Sequence, residues 1–241
     1  MIRRFLAATA ALSVLATVVT SSSASAGPPA SLAGLSALQV ESLAIAQMKT
    51  QGSGLVIAVT NEPGVTTRSV TSLAWTSGIR FDNYNGFTGE RIFASGVAYL
   101  RFSAGLGKMY FNKKVPQDAN KWYSFTAGHP YYTAFSVNMT LESMANDLMM
   151  NGKLSLSGPM TYDAKKVVRV SQKIVVSGSP PEFLSFYIAN TAPYLPVAWV
   201  WRSHASGTAK PVEEFTFKNW GLPVRVTAPS PVTQSWKVKF P

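Results

Sequence analysis

The sequence predicts an α+β domain organised around one large antiparallel sheet. Stretches in which apolar and polar residues alternate recur through most of the chain. The two cleanest, "LSLSGPMTY" and "KVVRVSQKIVV", follow one another directly. Helical patterns are few and interrupt the strands, an order that fits helices laid on a sheet.

The first segment is a leader. Arg3 and Arg4 precede an apolar run from Phe5 to Val19, and a serine-rich patch ends in Ala24-Ser25-Ala26. This is the three-part pattern of a secretory signal, with cleavage expected after Ala26. Removing 26 of the 241 residues leaves 215, expected to form a single domain over 27–241. No other run approaches the ~18 apolar residues of a membrane span. The expected location is secreted or cell-wall associated.

After Gly27-Pro28-Pro29, Ser31 is positioned to cap a helix running to about Gln51, with Gly52 as its stop. "LVIAVTN" and "TTRSVTSLAW" read as strands. "RIFASGVAYLRF" reads as two strand pieces around Ser95-Gly96, with Ala98, Leu100 and Phe102 on one face. "SAGLGKM" and "KKVPQDANK" read as loops, and "KWYSFTAGHP" as a return to strand. A second helix fits "TLESMANDLMMNG", capped by Thr140, with Leu141, Met144, Ala145 and Leu148 on one side.

In the next hairpin Leu154, Leu156, Met160 and Tyr162 share one face of the first strand. Val168, Val170 and Ile174 share one face of the second. "PPEFLSFYIANTAPYL" is expected to be a short helix, with Pro181 in its first turn. "PVAWVWRSH" places Val197, Trp199 and Trp201 on one strand face. Phe215 and Phe217 share a face of "VEEFTFKNWG", and "LPVRV" supplies one more short strand.

Composition narrows the function. Lys and Arg outnumber Asp and Glu by 22 to 11, and loss of Arg3 and Arg4 with the leader lowers the excess from +11 to +9. Such a surface favours anionic partners, here an anionic membrane or cell-wall polymer. No dense basic cluster tracks phosphates, so nucleic acid is not expected. Cys is absent, which excludes disulfides, cysteine-based zinc sites and a cysteine nucleophile. The chain shows no nucleophile elbow, HExxH, P-loop or GxGxxG. Its two histidines, His129 and His204, sit apart in loop-like sequence. No enzymatic activity, cofactor or metal is expected. The sequon at Asn138 is discounted because the leader is of bacterial type.

The ending "FKNWGLPVRVTAPSP", together with "GKLSLSGPMTYDAKKVVRV" and "YLPVAWVW", resembles the actinobacterial LppX/LprG envelope proteins. These are lipid-binding relatives of the LolA/LolB carriers. The resemblance implies a curved antiparallel half-barrel with covering helices and an apolar cavity for acyl chains. Members of that family usually carry a lipobox cysteine, and this chain has none. The resemblance therefore implies a carrier for a lipid or lipophilic small molecule that lacks a lipid anchor.

The candidate ligand-binding residues are the inward strand positions Leu156, Met160, Val168, Val170, Ile174, Trp199, Trp201, Phe215 and Phe217. Ordinary core packing is the competing role for each. Met139, Met144, Met149 and Met150 offer an adaptable lid or further core. Burying a sixteen-carbon chain yields roughly 13 kcal/mol gross. Association costs of about 4–15 kcal/mol offset this, so two chains are held better than one. The alternative function is a wall-associated protein that binds anionic polymer or membrane through its basic surface, its barrel filled by its own side chains.

Overall fold

The computed structural model describes residues 31–110, 119–175, 178–203 and 210–234. The predicted leader and His204 lie outside them. Helix α1 (Ala37–Gln51) begins five residues later than expected, because Ser36 and not Ser31 makes the cap. The Ser36 hydroxyl accepts from Gln39 N–H at 3.3 Å, and Gln39 Oε1 accepts from Ser36 N–H at 2.8 Å. This reciprocal box satisfies two donors that the helix would otherwise leave open. Gly52 ends the helix at φ 70°, as its sequence position suggested.

Five strands follow as a meander: β1 (Ser53–Glu62), β2 (Val65–Ala74), β3 (Gly78–Tyr84), β4 (Phe87–Ala94) and β5 (Val97–Phe102). Then come α2 (Ala104–Tyr110), β6 (Tyr123–Phe125), α3 (Tyr132–Ser136) and α4 (Leu141–Leu148). A second meander closes the chain: β7 (Leu154–Tyr162), β8 (Lys165–Ile174), β9 (Glu182–Ala189), β10 (Pro196–Arg202) and β11 (Glu213–Lys218). A last two-residue strand, β12 (Thr233–Gln234), pairs in parallel with β6; every other pairing is antiparallel.

The twelve strands form one open sheet, in the order β12-β6-β5-β4-β3-β2-β1-β11-β10-β9-β8-β7. The four helices lie on one face, here called inner. Helices α1 and α4 cover Val56, Val168, Val170, Phe186, Ile188 and Phe217. Leu106 of α2 and Phe135 of α3 pack with Ala98, Leu100, Phe102 and Phe125. The result is an α+β arrangement, one open and almost wholly antiparallel sheet with helices on one face, as the sequence predicts. No helix among the described residues is long and apolar enough to cross a membrane.

Four expectations are corrected. The segment expected as a helix near Pro181 is strand β9. Its residues alternate Leu184, Phe186 and Ile188 inward against Ser185 and Tyr187 outward, and β8 and β10 on either side fill both hydrogen-bonding edges. "SAGLGKM" is not a loop but forms the greater part of α2. Residues 222–232 form no ladder, since Pro223, Pro229 and Pro231 lack the N–H a strand donates. Val197 does not share a face with Trp199: a bulge between Pro196 and Ala198 turns it outward, against Val167 and Val200.

Two close approaches set how the helices sit. Glu41 of α1 is buried, and its Oε1 accepts the Met150 N–H at 2.8 Å, tying α1 to the segment after α4. Burial pushes its carboxyl above the usual range, partly opposed by that bond. Gly78 faces the turn before α4 so closely that an added Cβ would overlap the Met139 carbonyl oxygen. Backbone cannot yield there as a side-chain tip can. Gly78→Ala is therefore expected to cost about 2–3 kcal/mol in urea unfolding, whereas Gly64→Ala, with open space around it, should lose only the smaller cost of its positive φ.

Candidate functional site

Residues directly opposite in antiparallel strands share a face, so the register maps the inner surface. One row runs Val170, Phe186, Trp199, Phe215, Ala58, Ser69, Asp82 and Gly89 across β8, β9, β10, β11, β1, β2, β3 and β4. The next runs Gln172, Leu184, Trp201, Glu213 and Thr60. Trp199 and Phe215 stack with centroids 5.4 Å apart and planes 23° apart. Trp199, Trp201 and Phe215 are half-buried, so this wall is thinly covered.

The indole N–H groups of Trp199 and Trp201 are buried and have no partner. Trp220, by contrast, donates to the Pro196 carbonyl at 3.1 Å. An unmet buried donor costs about 1–3 kcal/mol, so two on neighbouring rows are a feature that packing alone does not account for.

The nine predicted residues divide. Val168, Val170 and Phe217 lie fully beneath α1 and α4 as ordinary core. Trp199, Trp201 and Phe215 form the wall. Ile174 is half-buried, two positions along β8 beyond Gln172. Leu156, 37% exposed, sits on the edge strand β7 opposite Val170. Met160 is a correction: β7 uses three residues from Ser157 to Met160 where β8 uses two, so Met160 and Tyr162 emerge on the outer face against Val167. There the Tyr162 hydroxyl donates to Glu214 at 2.6 Å. Of the methionines, Met139, Met144 and Met150 are buried and only Met149 is exposed, which is core and not a lid. The His129 ring packs edge-on to Phe125 and accepts the Tyr131 N–H at Nδ1, a turn-stabilising role.

A group of residues absent from the predicted set completes the inner face. Ser69, Thr71, Arg80, Asp82 and Arg91 form a polar island between the two apolar clusters. Asp82 Oδ1 accepts from Arg80 Nε at 2.7 Å. Arg91 holds both oxygens, Nε to Oδ2 at 2.8 Å and Nη2 to Oδ1 at 3.1 Å. Arg91 Nη1 also donates to the Ala134 carbonyl of α3 at 3.4 Å. Burial alone would raise the Asp82 carboxyl, but the fields of Arg91 and then Arg80 override it and hold it at about 2. The signal was present in "YNGF": Asn85 and Gly86, both at positive φ, make the turn that folds β3 onto β4 and sets Arg80 opposite Arg91.

Two clefts lie elsewhere. One of about 500 Å³, lined by Phe93, Thr133, Ser136, Thr140 and Glu142 among others, separates α3 and the start of α4 from the β4–β5 hairpin. One of about 250 Å³ is lined by Phe81, Glu90 and Arg101. None of the nine predicted residues lines either.

No family model matches this chain, and no curated protein does. Among solved structures, the chain is similar to LprF from Mycobacterium bovis, with a TM-score of 0.49 and 15% identity over 80% of this chain and 96% of that one.

The depressed Asp82 carboxyl stabilises the fold above its unfolded value of about 3.8, and that stability is lost as pH falls toward 2. Asp82→Asn leaves two buried guanidinium groups without their anion. We expect it to lose about 3–5 kcal/mol near neutral pH and to flatten the acid limb of a stability-versus-pH curve measured by chemical unfolding.

Proposed function

We propose that this domain is a binding protein, not a catalyst: a carrier that holds the apolar chain of a lipid or similar lipophilic molecule against its inner face. The observation that carries this reading is the half-buried wall of Trp199, Phe215 and Trp201, whose two indole N–H groups have no protein acceptor. Apolar chain against the rings supplies about 0.8 kcal/mol per methylene. A carbonyl or ester oxygen partway along the molecule would satisfy the indoles, each bond contributing about 1 kcal/mol net. The leader pattern supports a role outside the cytoplasm, and the resemblance of "GKLSLSGPMTYDAKKVVRV" to the lipid-binding envelope proteins supports the carrier reading.

A second reading has an observation of its own. Lys165, Lys166 and Lys173 of β8 are exposed, and each basic residue held at an anionic membrane contributes about 1 kcal/mol. That contact is compatible with carriage, since a carrier must meet the surface it loads from.

Bromine on an acyl chain quenches tryptophan emission only in contact. Titration with a brominated long-chain phospholipid dispersed as small vesicles should quench the protein strongly. The double variant Trp199→Phe, Trp201→Phe should lose most of the quenchable fraction while keeping its fold. Quenching that is unchanged in that variant would place the chain elsewhere and defeat the reading.

A further inference from the structure

We propose that the polar island is the seat of an anionic headgroup, a carboxylate or phosphate on the end of an apolar chain, so that the cargo is an anionic amphiphile. This rests on the carrier reading and narrows it. The first ground is charge. Two guanidinium groups face one carboxylate, leaving one positive charge in excess; Asp82 and Arg91 are buried and Arg80 is partly so. On the inner face of the strands the next carboxylate is Glu213, on β11. Arg80's own row crosses β11 at Phe217, so Glu213 lies three strand spacings across and four residues along, about 20 Å away.

The second ground is the division of labour between the arginines. Arg91 already engages both oxygens of Asp82 and braces α3 through Ala134. Asp82 needs no second guanidinium for neutrality. Arg80 adds a single contact through Nε and keeps 20% of its side chain exposed. Its outer nitrogens are suited to an incoming anion, and a guanidinium fork matches carboxylate or phosphate geometry.

The third ground is Ser69. It is only 4% exposed, its hydroxyl has no partner, and the register sets it beside Asp82 and two positions along β2 from Thr71, which faces Arg80. A buried hydroxyl left open next to a surplus cation is a donor waiting for an acceptor. The fourth is continuity. Ser69 and Phe215 belong to one row, separated only by Ala58. The island is thus about two strand spacings, roughly 10 Å, from the aromatic wall. A single amphiphile laid along that row meets rings with its chain and the arginine with its head.

The test compares dansylaminoundecanoic acid with its methyl ester, which differ only in the charged head. Dansyl emission is followed on titration of the leaderless full domain. The acid should bind about tenfold more tightly than the ester. Arg80→Gln should erase that preference by weakening the acid alone, and Ser69→Ala should reduce it. Arg80→Lys should restore part of it. Equal binding of acid and ester by the unmodified protein would overturn the headgroup site and leave the carrier intact. Failure of both probes to bind would remove the carrier reading as well. Displacement of the acid by millimolar inorganic phosphate would assign the island to a small free anion and also overturn the proposal. Thermal melts of Arg80→Gln guard against a folding defect; Arg91 still neutralises Asp82 in that variant.

Discussion

The architecture depends on one junction, the pairing of β1 with β11. Six residue pairs, from Leu55 and Lys218 to Thr60 and Glu213, weld two meanders that are far apart in the chain into a single sheet. Each meander alone is made of local hairpins. Their fusion brings the aromatic residues of β10 and β11 beside the serine and the ions of β2 and β3. It also spreads one inner face wide enough for four helices. A chain without disulfides has to close such long-range contacts by packing alone. Val56 and Phe217, opposite one another at the junction and both buried under α1, are where it does so.

The inner face is not uniform, and its gradient matters more than its area. At one side of the row stand Val170 and Phe186, sealed by helices. Trp199 and Phe215 come next, stacked and half-covered, and then the small Ala58. Ser69 and Asp82 follow in the same register. Sealed core, open ring wall and buried charge are thus three zones of one continuous surface. Burying ions is expensive unless each is paired, and here the pairing is nearly complete, with a remainder of one guanidinium. Two unmet indole donors and one unmet hydroxyl lie in the same two rows. The two other such groups among the described residues, Asn138 Oδ1 and Arg202 Nε, lie off these rows; the three that share the inner face are the ones that mark a site.

Much of this was legible in the sequence. The capped helix at Thr140, the paired strands from Leu154 to Ile174, the Ser95-Gly96 turn and the inward set Trp199, Trp201, Phe215 and Phe217 follow from periodicity and turn chemistry. What failed was phase. A strand's faces exchange with each inserted residue, so bulges at Ser157–Met160 and Pro196–Ala198 moved Met160 and Val197 to the other side; Gly158-Pro159 and Pro196 were the local signs of them. The β9 segment was misread because Phe183, Phe186 and Tyr187 suit a helix face as well as its true alternation suits a strand. Only its neighbours decide between them. Core and cavity positions were inseparable for a similar reason: Val170 and Trp199 are adjacent on one face, and the coverage by α1 that separates their roles is a tertiary fact. The island was missed although the Asn85-Gly86 turn fixes its register, because three charged residues on a presumed interior face resemble a solvated edge until the sheet is assembled.

The central claim is that the inner face holds a lipophilic molecule. Native mass spectrometry of the domain purified from its own export route tests it most directly. The account predicts a stoichiometric adduct of lipid mass that survives desalting, is released by organic solvent and is depleted when Trp199 and Trp201 are both replaced by Phe. A mass equal to the bare polypeptide, from a protein that melts no earlier after solvent extraction, would contradict it.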